Sequence, residues 1–69
     1  MNENIIETIE WYKQEVFKEM ENRGYAKEAI PNIIAKTGFL SALNEYPEQQ
    51  LHDSISDAVD EIIFVAAAA

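Results

Sequence analysis

The segment NIIETIEWYKQEVFKEMENRG, residues 4–24, decides how the rest of the chain is read. Its apolar residues Ile5, Ile9, Tyr12, Val16 and Met20 recur at intervals of three and four, the spacing of one face of an α-helix. Ile6 and Phe17 widen that stripe on one side. Asn4 followed by Glu7 has the capping-box arrangement, with Asn standing where Ser or Thr is usual. Arg23 in the last turn and Gly24 just beyond it close the other end. A first helix is expected from about residue 5 to residue 23, with Glu19 and Arg23 forming an exposed pair four positions apart.

Outward from this helix the pattern turns less regular, because Pro31 lacks an amide hydrogen and collides with the carbonyl four residues earlier if it lies deep inside a helix. It belongs in a first turn or at a kink. Ala26, Ala29, Ile30, Ile33, Ile34 and Thr37 share one helical face, whereas Phe39, Leu40 and Leu43 lie on a rotated one, with Gly38 between them. The spacing predicts a second helix from about 27 to 44, bent or broken near residue 38.

Tyr46-Pro47 breaks the chain again, and proline suits the first position of a helix, where its missing amide would be unpaired anyway. From there Leu51, Ile55, Ala58, Ile62 and Val65 step by four and three, a heptad seam only about two heptads long. A third helix is expected from about 47 to 66. The fold class that follows is all-α, one helical domain over residues 1–69, arranged as a small three-helix bundle with a bent or broken middle helix.

Composition sharpens this expectation. A 69-residue chain is one domain, and below about 70 to 80 residues a single core rarely supplies more than about 3 to 5 kcal/mol. Small domains usually add disulfides, a metal or association. The chain has no cysteine and one histidine, which removes disulfides and makes a structural zinc a poor fit. Homodimerisation is the remaining common device, and the bundle is expected to be completed by a second copy.

The formal charge of −8 opposes attachment to phosphate backbones and to anionic membranes, and favours basic or neutral protein partners. Met1-Asn2-Glu3-Asn4 lacks the basic start of a secretory signal, and the apolar run Ile62–Ala69 is far shorter than the ~20 residues that cross a bilayer. Cytoplasm is the default location. The closing Ala66-Ala67-Ala68-Ala69 is given no functional weight, since it reads equally as a native helix end or a cloning scar.

Chemistry finds little to work with. Glu7, Glu10, Glu15 and Glu21 of the first helix, and Asp53, Asp57 and Asp60 of the third, project away from the apolar stripes as a solvated coat. A di-metal bundle site needs Glu-x-x-His, and the residue three before His52 is Gln49. Ser54, Ser56, His52 and Asp53 are local helical neighbours without oxyanion donors, not a nucleophilic triad. No catalytic residue, metal ligand or cofactor is assigned.

The stretch Ile34-Ala35-Lys36-Thr37-Gly38-Phe39-Leu40 resembles the helix-turn-helix family, in which an alanine of the first helix precedes a glycine in the turn. Ala35 and Gly38 are three apart where the family has four, and Ser41-Ala42-Leu43-Asn44-Glu45 offers no base to meet phosphates. The resemblance implies DNA binding; the charge and the departures imply a glycine-mediated bend.

Trp11 and Phe64 fall outside the stripes. Trp11 projects among Glu7, Gln14, Glu15 and Lys18, and Phe64 lies beside Asp57 and Asp60. Large aromatics on polar faces are candidate interface anchors. Trp11, Phe64, Leu51, Ile55 and Ile62 therefore form the candidate interface set. The expected function is a small non-enzymatic helical interaction or regulatory module that also binds itself. An acidic mimic of nucleic acid that inhibits a DNA- or RNA-binding protein is the alternative, and a metal or enzyme site assembled across an oligomer is the third.

Overall fold

A computed structural model describes residues 2–68, with side chains from residue 6 onward; Met1, Ala69 and the side chains of Asn2 to Ile5 lie outside it. The expected contribution of Ile5 to the first stripe, the side-chain half of the Asn4 capping box and the last alanine fall among these. The described residues form helices and no strand, in the order α1 (Asn2–Asn22), α2 (Ile30–Thr37), α3 (Phe39–Glu45), α4 (Pro47–Gln50) and α5 (Ile55–Ala68). The radius of gyration, 11.7 Å, is close to the roughly 11 Å of a compact domain this long.

α1 begins three residues earlier than expected, so Asn4 lies within the helix and not at its cap. Neither proline nor glycine occurs among residues 2–22 to stop it. Its C-terminal end follows the sequence closely. The Tyr25 amide donates to the Met20 carbonyl at 3.1 Å and the Gly24 amide to that of Glu21 at 3.0 Å, a Schellman closure that needs the left-handed backbone of Gly24 at φ 98°.

The middle segment is broken where the sequence places the break. Gly38 adopts φ 72°, ending α2 and starting α3. Thr37 bridges the interruption: its hydroxyl donates to the Ile34 carbonyl at 2.8 Å and accepts the Phe39 amide at 3.2 Å. The helix proper starts at Ile30, later than the expected residue 27, because Pro31 occupies its first turn and residues 26–29 form a separate turn.

One expectation fails outright. The single third helix over 47–66 is two helices, with a turn at Leu51-His52-Asp53 between them. α4 is one turn only, and Ser54 then caps α5, its Oγ accepting the Asp57 amide at 3.1 Å and its carbonyl accepting the Ala58 amide at 2.9 Å. Leu51 therefore lies outside the helix whose seam its spacing begins. The apolar spacing runs across the break without registering it, since Leu51 and Ile55 both turn to the same core from separate elements.

α1 and α2 each pack on α5, while α3 bridges α2 and α4. The core these contacts enclose is Tyr12, Val16 and Met20 of α1, Ile30 and Ile34 of α2, Phe39 and Leu43 of α3, and Ala58, Val59 and Ile62 of α5. Tyr12 stacks on Phe39 with centroids 6.3 Å apart. Ile6 departs from its expected place in the stripe and is exposed. α1 spans roughly 31 Å against about 21 Å for α5, so its first turns outrun the helix that covers it. No helix among the described residues is long and apolar enough to cross a membrane.

Candidate interaction surface

Two polar clasps fix α5 on α1, and they set which helix faces remain open. The Tyr12 hydroxyl donates to the Asp53 carbonyl at 2.8 Å. Burial pushes the Tyr12 phenol above its ordinary value, and the nearby carboxylates of Asp53 and Asp57 push the same way. Eleven residues on, Arg23 spreads its guanidinium over several acceptors. Nε donates to Glu19 at 2.8 Å, Nη1 to Asp60, and Nη2 to the Ser56 carbonyl at 3.2 Å and Oγ at 3.0 Å. Glu19 and Asp60 hold the guanidinium in its charged form, and their hydrogen bonds raise its already high pKa.

With the Tyr12 and Arg23 flank of α1 against α5, Trp11 is carried outward by the 100° step between successive helical residues. It is 54% exposed, while its neighbour Tyr12 is 3% exposed. Among the described residues its ring meets Tyr12 edge-on, with centroids 6.5 Å apart. The positions around it on the helix, Glu7, Gln14, Glu15 and Lys18, are polar, and Glu15 and Lys18 pair at 3.3 Å.

Phe64 is 71% exposed, on the side of α5 opposite Ala58, Val59 and Ile62. Glu61 and Asp60 lie one turn below it and Asp57 two turns below. The other candidate interface residues stand elsewhere. Ile62 is 1% exposed within the chain's own core, and Leu51 and Ile55 are half-buried against that core. The structure thus separates Trp11 and Phe64, which face outward, from three residues that pack inward.

A third feature was not read from the sequence. Phe17, half-buried, forms the floor of a shallow cleft of about 430 Å³ on α1, bordered by Glu10, Lys13, Lys18, Glu21 and Lys27. Three of the chain's five Lys and Arg residues meet there, one of them from the loop after α1. Lys13 pairs with Glu10 at 3.1 Å on its rim. The only trace of it in the sequence is Phe17 at the edge of the α1 stripe; the approach of Lys27 depends on how the chain turns at Gly24. Tyr46, exposed between Glu45 and Glu48, also went unread.

His52 is exposed beside Glu48 and Leu51. Among the described residues no group of three or more His, Asp or Glu side chains is placed to hold a metal ion. No protein-family model, curated protein or solved structure matches this chain.

Proposed function

We propose that this chain is a small non-enzymatic helical interaction module that associates with itself and presents Trp11 to a protein partner. The carrying observation is the contrast within one dipeptide: Tyr12 is locked into the core while Trp11, next to it, stays largely in water. Leaving an indole exposed forgoes the roughly 1.5 to 3 kcal/mol gained by burying a large apolar side chain, which makes it an available anchor for association. The small core supports self-association as a supplement to folding stability. The test is the solution mass of wild type and of Trp11→Ala by light scattering over a wide concentration range, joined to partner capture with both proteins. Loss of the complex or of association in the variant supports the module. Unchanged mass together with unchanged partners removes Trp11 from it.

A second reading, an acidic mimic that occupies the basic groove of a nucleic-acid-binding protein, draws on charge segregation. Lys36 is the last basic residue, and residues 37–69 carry Glu45, Glu48, Asp53, Asp57, Asp60 and Glu61 with no Lys or Arg. Competition between this chain and duplex DNA for a basic DNA-binding protein, released by added salt, is its signature.

A further inference from the structure

We propose that the outer face of α5 docks a basic segment of another protein. A bulky apolar side chain of that segment enters the cleft between α3 and α5, and its Lys or Arg groups meet Asp57, Glu61 and Phe64. This surface is separate from Trp11, and it adds the chemistry of a partner to the reading above. The cleft, about 180 Å³, is lined by the apolar Phe39, Ala42, Ile62 and Val65, with Gln50 and the exposed Glu61 beside them. It is smaller than the roughly 300 to 1,000 Å³ of small-molecule sites and suits a single side chain. Glu61 joins it to the rest of the face, since α5 carries Asp57 one turn before Glu61 and Phe64 one turn after it. Phe64 is 71% exposed.

The sign of the partner follows from which charges are already engaged. Arg23 holds Asp60, whereas Asp57 and Glu61 enter no ion pair among the described residues. No Lys or Arg is among the residues that line the cleft. The base nearest in sequence, Lys36, lines a different groove with Tyr25, Ile33 and Ile63. A cation brought to this face therefore finds carboxylates without a competing base. It also finds an open phenyl ring, whose quadrupole attracts guanidinium and ammonium groups. An apolar anchor that dries the contact strengthens both attractions.

A second copy does not supply this match. Its Lys13, Lys18 and Arg23 are paired with carboxylates of their own chain, leaving Lys27 and Lys36 against a net charge of −8. Nucleic acid and anionic lipid carry the same sign as the face and are repelled by it. A basic protein segment with an apolar anchor satisfies the cleft, the ring and the carboxylates together.

The probe is a labelled synthetic amphipathic peptide of lysine and leucine, titrated with the full chain and followed by fluorescence anisotropy. Two control peptides separate the parts of the contact, one with every leucine replaced by alanine and one with every lysine replaced by glutamate. Wild type is expected to bind the lysine-leucine peptide about tenfold or more tightly than either control. Phe64→Ala and Asp57→Lys/Glu61→Lys are each expected to weaken that binding by about tenfold or more, and the charge-reversed chain to gain the glutamate peptide. These positions are exposed, and circular dichroism verifies the folds. Trp11→Ala is expected to bind the peptide as wild type does; loss of binding there moves the contact to Trp11 and overturns this site. Absence of binding to the lysine-leucine peptide overturns the proposal, as does binding unchanged in both α5 variants. Equal binding of the alanine control also overturns it, and release of that control by salt leaves only the overall charge of the chain at work, as for a nucleic-acid mimic.

Discussion

The Tyr12 hydroxyl reaches the backbone carbonyl of Asp53, 41 positions later, and joins the middle of α1 to the turn that precedes α5. Tyr12→Phe keeps the ring stacked on Phe39 and deletes only this bond, so the expected loss is about 1 kcal/mol at neutral pH. The phenol's raised pKa fixes the sign of a pH effect: folding favours the protonated form. Its stabilisation is complete below the unfolded value near 10 and is lost as pH rises from there through the raised folded value. Urea unfolding of both proteins at neutral and alkaline pH checks the point, and the part of the alkaline loss due to Tyr12 should be missing from the variant.

Gly38→Ala isolates the cost of backbone conformation. A Cβ built at Gly38 meets no atom within 4 Å, so the penalty comes from the left-handed φ of 72° and not from crowding. A loss of about 1 to 2 kcal/mol is expected. Gly38→Asn should lose less, because asparagine tolerates that region better. Thermal or denaturant midpoints of the two variants decide it, and equal losses would contradict a conformational cause.

Ser54→Ala removes the hydroxyl that accepts the Asp57 amide at the start of α5. The expected loss is about 1 kcal/mol, and Ser54→Asp should restore most of it as an alternative cap. Hydrogen exchange at the first-turn amides of α5 gives a local readout, with the Asp57 amide opening first.

Ile62 and Phe64 lie two residues apart on α5 and should respond oppositely. Ile62→Ala empties a fully enclosed site and is expected to lose about 2 to 5 kcal/mol, comparable to the whole stability of so small a core. Phe64→Ala should alter the isolated chain by about 0.5 kcal/mol or less. Chemical denaturation at a concentration low enough to suppress association measures both.

How much of this was legible depended on whether a signal was local. Gly24 and Gly38 mark their turns because only the backbone they permit closes the preceding helix, and both appear where the sequence puts them. The outward position of Trp11 and Phe64 likewise follows from helical periodicity alone. The break before α5 has a local sign as well, Ser54-Ile55-Ser56-Asp57 ahead of an apolar run. An apolar spacing that continued from Leu51 to Ile55 outweighed the cap. Ile6 and the Phe17 cleft were illegible for another reason: which part of a helix is covered, and what a loop lysine approaches, are decided by elements distant in sequence.

The Tyr12 hydroxyl grips the turn before α5 and Arg23 grips α5 itself, two polar anchors added to the apolar packing between the helices. A slip of one turn, about 5.4 Å, parts the enclosed packing of Val16 and Met20 with Ala58, Val59 and Ile62. Such a slip breaks both clasps together. The pair acts as a key in a lock, admitting one register of α5 on α1, and so it fixes where along the molecule Phe64 stands.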